Sequence, residues 1–187
     1  MKLSSLSVIL LIPLLLPGCS TAPLGPYGYT EQYLSHSSAP HDAVQPGDNV
    51  LSRFIAFYSP LNKERIISST DQIYASQLYF NDTLVTLRDR NALQEHLLST
   101  AERLNHMSLE PLRVIRDENQ VYLVWVMEAR FSLLGKERLS RTIGISQLRF
   151  NDRGQVFFHQ DFWDSSQGLD QQLPILGGFS RWLREHP

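Results

Sequence analysis

Residues 139–163 read LSRTIGISQLRF-NDRG-QVFFHQDFW. Two strand-like runs flank Asn151-Asp152-Arg153-Gly154, a cluster of turn-forming residues, so the stretch reads as a β-hairpin. Side chains alternate across a strand. Thr142, Gly144, Ser146 and Leu148 therefore share one face of the first run, and Arg141, Ile143, Ile145, Gln147 and Arg149 share the other. The first set is small, which leaves room on its side. Gly144 weakens a strand and suggests a bend. On the second run His159, Asp161 and Trp163 fall together, and Phe158, Gln160 and Phe162 fall opposite.

Two further strand-like runs lie upstream, at 111–117 and 120–132, separated by Asp117-Glu118-Asn119. The longer carries Val121, Leu123, Trp125, Met127, Ala129 and Phe131 on one face, an apolar row that must be largely core. Tyr122, Glu128 and Arg130 occupy its other face. Before these runs the apolar period becomes helical. Val50, Leu51, Phe54, Ile55, Phe57 and Tyr58 form one helix, stopped by Ser59-Pro60, and Asn62–Ile67 forms a second. Thr70 or Asp71 is expected to cap a third, carrying Ile73, Tyr74 and Leu78. A short strand, Leu84–Leu87, follows Tyr79-Phe80-Asn81-Asp82, with the Asp82 carboxylate capping or buttressing it. Asp89 or Asn91 then caps a longer helix with Leu93, Leu97, Leu98, Ala101 and Leu104 on one side.

Helices, a short strand, a helix and four antiparallel strands make an α+β order. The order predicts a cone-shaped fold: a curved, mostly antiparallel sheet wrapped by about three to four helices, with a pocket inside. The order and three short motifs resemble the nuclear transport factor 2-like superfamily, which includes SnoaL-like and ketosteroid isomerase-like proteins. The motifs are Tyr79-Phe80-Asn81-Asp82, Leu148-Arg149-Phe150-Asn151 with Gly154-Gln155-Val156, and His159-Gln160-Asp161-Phe162-Trp163-Asp164. The similarity spans roughly residues 50–165. It implies that His159, Asp161 and Trp163 face the pocket. It also places the three ketosteroid isomerase catalytic positions on Phe54, Leu87 and Ser146, none of which can supply the oxyanion donor, base or acid of that reaction.

His159 and Asp161, two apart on one face, are the candidate catalytic pair, since a carboxylate can orient an imidazole as a general base. The same two residues also suit a buried pair that orders the sheet. Phe54, Tyr58, Trp125, Met127, Ser146 and Trp163 are the candidate pocket-lining residues. Asp164 falls on the opposite parity to Asp161, and no histidines stand at helical i, i+4 spacing, so no metal site is indicated. No cofactor motif is visible.

The N-terminus carries a separate signal. Lys2 precedes an apolar stretch, Leu6–Leu16, of signal-peptide length and too short for the ~20 residues that span a bilayer. Leu16-Pro17-Gly18-Cys19 follows and resembles the lipobox of bacterial lipoproteins. That resemblance implies cleavage after residue 18 and acylation of Cys19, the single cysteine of the chain. Residues 1–18 are thus read as a lipoprotein signal peptide and 19–49 as a lipidated tether. Residues 50–187 are read as the domain with its C-terminal tail. The tether is rich in proline, glycine and serine, and ~30 flexible residues reach ~30 Å. Tyr27, Tyr29 and Tyr33 interrupt it, and either dock on the domain or stand in solvent.

The 187 residues are 42% hydrophobic and 19% charged, with a net charge of -2. A mildly acidic chain without a basic patch is not built for nucleic acid. The expected partners are a membrane, through Cys19, together with a small apolar ligand, a second copy or an envelope protein. Ser20 stands where an inner-membrane retention aspartate would sit in enteric lipoproteins, which points to the periplasmic face of the outer membrane of a bacterial cell envelope. Three functions stay open on these residues: a ligand- or partner-binding domain, an acid–base enzyme of isomerase or hydrolase type, and a structural adaptor.

Overall fold

The computed structural model describes residues 28–38, 42–168, 177, 178, 182, 185 and 186. The sequence readings on Cys19, the signal peptide and Tyr27 lie outside them. Within them run α1 (Thr30–Ser37), α2 (Asp48–Tyr58), α3 (Lys63–Ile73), β1 (Tyr74–Asn81), β2 (Thr86–Asp89), α4 (Arg90–Arg103), β3 (Leu104–Asp117), β4 (Gln120–Leu133), β5 (Lys136–Phe150), β6 (Val156–Trp163) and α5 (Ser165–Gly168). The six strands form one sheet in the order β2-β1-β6-β5-β4-β3. Only the β1–β6 pair is parallel. Helices α2, α3 and α4 pack into the concave face, so the architecture is the expected α+β cone.

Each of these helices buries one stripe. Leu51, Phe54, Phe57 and Tyr58 are buried on α2, and Ile66, Thr70 and Ile73 on α3. Asn62 caps α3 by accepting from the Arg65 N–H at 2.9 Å, and Asp89 caps α4 by accepting from Ala92 at 2.9 Å. Each cap satisfies a backbone donor that the first helical turn leaves open. Against the helices stand Leu109, Leu123, Trp125, Leu148 and Phe150 from the sheet, closing one core.

Three local expectations are corrected. Residues 70–78 do not form a third helix: α3 runs through to Ile73, and Tyr74 opens β1. Tyr74, Ala75, Leu78, Tyr79, Phe80 and Asn81 are all buried, because β1 is covered on both faces. Its register also shifts between Gln77 and Phe80, so the two-residue period is lost and the apolar run mimics a helix. The first long strand begins at Leu104 rather than near 111. Pro111 sits inside it because β3 is an edge strand and its register shifts just there, between Pro111 and Arg113. Finally, the proline- and glycine-rich stretch has helical structure after all, since Thr30–Ser37 form α1.

α1 lies on the convex face. Tyr33 donates to the Gln147 side chain at 3.0 Å and sets its ring edge against Phe162 at 5.8 Å. His36 stacks on Tyr79, and Arg149 donates to the Ser37 carbonyl at 2.7 Å. Val44 adds a backbone bridge to Phe150. Sequence alone could not show this docking, because α1 is only eight residues long and none of them is fully buried.

Candidate functional site

The cone encloses a cavity of about 510 Å3. Its walls are mainly apolar: Leu61, Phe80, Leu97, Met107, Leu109 and Phe131 stand among them. Leu84, Arg103 and Ser132 are lining residues that are also exposed, and they mark where it opens. All eight residues singled out on sequence, His159, Asp161, Phe54, Tyr58, Trp125, Met127, Ser146 and Trp163, border this one cavity. Of the three transferred isomerase positions, Phe54 and Ser146 line it, whereas Leu87 packs at the edge of the core. Gln160 points to the convex side, where its amide accepts from Tyr79 at 2.7 Å and donates to Asn81 at 2.9 Å.

The parity of β6 places His159 inside, and its neighbours then define its chemistry. His159 is 2% exposed, with both ring nitrogens taken. Nε2 meets Asp161 Oδ1 at 2.8 Å, and Nδ1 meets the Tyr74 hydroxyl at 2.8 Å. Tyr74 in turn meets the Tyr58 hydroxyl at 2.5 Å. From the other side Trp125 Nε1 donates to Ser146 at 2.9 Å, and Ser146 donates to Asp161 Oδ1 at 2.5 Å. The donors form one consistent series ending on the Asp161 carboxylate. Burial pushes the Tyr58 and Tyr74 hydroxyls well above the ordinary tyrosine range, so both stay protonated donors. His159 therefore has no nitrogen left for a substrate, and the group of the pair that faces the cavity is Asp161, whose Oδ2 makes no hydrogen bond.

Gly144 has a role that the sequence did not show. It pairs with Trp125 across β4 and β5, and a Cβ built there would lie 2.2 Å from the indole Cη2. The missing side chain is the seat of the indole. That seat aims Nε1 at Ser146.

A second histidine–carboxylate pair escaped the sequence reading. Asp82 Oδ1 accepts from the N–H groups of Leu84 and Val85, at 3.0 and 2.9 Å, which is the buttressing role expected of it. Its Oδ2 is 2.8 Å from His96 Nε2. Both residues line the cavity. His96 lies on the inward side of α4, three residues after Leu93 and one turn before Thr100, so its direction was legible from the helical period. Its partnership with Asp82, from another element, was not. Trp163 Nε1 donates to the Asp82 carbonyl at 2.7 Å and ties the two pairs into one end of the cavity. Ser140, buried and lining the cavity some way along β5, has a hydroxyl without a partner. Among the described residues, no three His, Cys, Asp or Glu side chains gather as a metal site would require.

No family model and no curated protein matches the sequence. Solved structures do match. A SnoaL-like polyketide-cyclase-type protein from Shewanella denitrificans superposes with a TM-score of 0.56 at 12% identity, over 64% of this chain and 90% of its own. A ketosteroid isomerase-like protein from Catenulispora acidiphila, solved in complex with trimethylamine, gives 0.55 at 12%, over 67% and 92%. An epoxide hydrolase of the LEH-like type from M. tuberculosis gives 0.52 at 13%, over 73% and 94%. The fold is thus the nuclear transport factor 2-like cone, and at these identities the likeness defines the fold alone.

Proposed function

We propose that this is a ligand-binding domain that takes a compact, mostly apolar small molecule into the cone and is held at the bacterial envelope by a lipidated Cys19. The observation that carries the binding reading is the cavity itself: about 510 Å3, walled by aromatic and aliphatic side chains, with a few polar groups gathered at one end. Small-molecule sites have that size and that mixture. The trimethylamine in the Catenulispora protein supports the use of such a cone for a small organic molecule. An acid–base enzyme is the second reading, favoured by the unspent Oδ2 of Asp161. With both nitrogens of His159 engaged, that reading assigns the proton-handling role to Asp161 and makes His159 its positioning partner.

Filling the cavity tests the binding reading. Met127 lines its wall and is partly buried. Met127→Trp is expected to weaken binding of the fluorescent probe N-phenyl-1-naphthylamine by about tenfold or more, since the indole occupies the probe's space. Unchanged probe affinity in a folded Met127→Trp protein would remove the cavity from consideration.

The anchor rests on Leu16-Pro17-Gly18-Cys19 after an apolar stretch. Intact mass of the protein from its host membranes is expected to show a chain beginning at an acylated Cys19, and Cys19→Ala is expected to carry no acyl chain. An unmodified mature N-terminus in the wild type ends the lipoprotein reading.

A further inference from the structure

At the polar end of the cavity the side-chain donors are already spent. Trp125 Nε1 donates to Ser146, Ser146 to Asp161, and Trp163 Nε1 to the Asp82 carbonyl. The Tyr58 and Tyr74 hydroxyls run to one another and to His159. Thr100, one turn beyond His96, donates back to the His96 carbonyl at 2.9 Å.

What stays open there is acceptor capacity, and His96 shows it most sharply. The Asp82 carboxylate can only accept. Its Oδ1 is occupied by two backbone N–H groups, so Oδ2 is the atom that meets His96, and Nε2 of the ring must carry the hydrogen. In the neutral ring Nδ1 is then a bare lone pair. Nδ1 makes no hydrogen bond, and it is not among the polar atoms sealed from solvent without a partner. It belongs to a lining residue, on a ring bonded to Asp82 and tilted at 57° to the Phe80 ring 6.1 Å away. A fixed acceptor in an apolar cavity is incomplete until a donor meets it.

We propose that His96 Nδ1, oriented by Asp82, is the recognition point of the cavity, and that it selects compact apolar molecules carrying an O–H or N–H hydrogen over counterparts without one. The inference rests on the ligand-binding reading and adds the chemical class of the ligand. Asp82 acts as a positioning residue through the ring. Asp82→Asn makes that role visible: with the amide oxygen retained by the two turn N–H groups, the amide NH2 faces Nε2 and drives the ring hydrogen to Nδ1. The acceptor then becomes a donor.

The probes are 2-naphthol and 2-methoxynaphthalene, which share the naphthyl body and differ in that a methyl group replaces the donor hydrogen in the second. Binding to the whole chain bearing Cys19→Ala is followed by naphthyl fluorescence at neutral pH. The wild-type cavity is expected to prefer 2-naphthol by about tenfold, the effect of one hydrogen bond. His96→Leu and Asp82→Asn are expected to reduce the preference to about onefold. His96→Gln, which keeps an acceptor oxygen near the site and covers a folding failure of His96→Leu, is expected to restore part of it. Nitrogen-15 spectra of the unliganded protein are expected to show His96 as the Nε2–H tautomer, shifted to Nδ1–H by Asp82→Asn.

A preference that survives His96→Leu overturns the assignment. So does a preference lost in Asp161→Asn but kept in His96→Leu, which seats the donor on Asp161. Equal binding of both probes defeats the inference and leaves the ligand-binding reading standing. Failure of both probes to bind defeats the two together.

Discussion

Gly144→Ala is expected to destabilise the domain by about 1–3 kcal/mol, a large cost for one added methyl group. Its Cβ would stand 2.2, 2.4 and 2.7 Å from three atoms of the Trp125 indole. An exposed, flexible side chain would swing away at little cost. Trp125 is 3% exposed, rigid and hydrogen-bonded to Ser146, so the indole has nowhere to go without opening the core. Moving it also breaks the Trp125–Ser146–Asp161 series and reshapes the cavity wall. Urea melts measure the cost, and tryptophan fluorescence reports the displaced ring. The double variant Gly144→Ala/Trp125→Leu is expected to lose much less than the two single costs added together, because the clash is gone once the indole is gone. Additive costs, or a Gly144→Ala melt that matches the wild type, would show that the close approach does not shape the site.

The second large effect belongs to Tyr74. Its hydroxyl lies between the Tyr58 hydroxyl and His159 Nδ1, and the residue is fully buried. Tyr74→Phe keeps the ring and leaves two buried polar groups without their partner. At about 1–3 kcal/mol for each orphaned group, and with some relaxation, the expected cost is about 2–4 kcal/mol. Tyr58→Phe/Tyr74→Phe is expected to recover part of it, since one of the two orphans is then absent. A cost below about 1 kcal/mol for Tyr74→Phe would mean that the network closes by another route. The same tyrosines predict an alkaline limb. Burial raises both hydroxyls above their ordinary value near 10, so the folded state keeps protons that the unfolded chain releases. Their contribution is whole below pH 10 and declines above it, by up to about 1.4 kcal/mol per pH unit for each tyrosine. Tyr74→Phe should flatten that limb while lowering the whole curve.

What the chain determines by itself is whatever depends on local period and local chemistry. Alternation along β6 sets His159, Asp161 and Trp163 against Gln160 wherever the strand sits, because successive residues of a strand cannot share a face. The turn at Asn151–Gly154 and the cap at Asp89 are likewise legible, since their hydrogen bonds run to neighbours a few residues away. The apolar stripes of α2 and α4 show which helix faces are inward. Where an element is covered on both sides this reasoning fails. β1 looked helical because helices bury one of its faces and α1 the other, so no period was left to read. α1 itself is too short and too weakly apolar to announce a helix, and exists by packing Tyr33 and His36 onto the finished sheet. The tertiary structure alone decided which histidine is spent and which is open. His159 and His96 are the same residue type, each beside an aspartate. Tyr74, from a strand that sequence made a helix, closes the last nitrogen of His159. Asp82, fourteen residues from His96, takes Nε2 of that ring and leaves Nδ1 without a hydrogen bond, on a side chain that lines the cavity. Those contacts join residues far apart in the chain, and no local pattern encodes the distance between them.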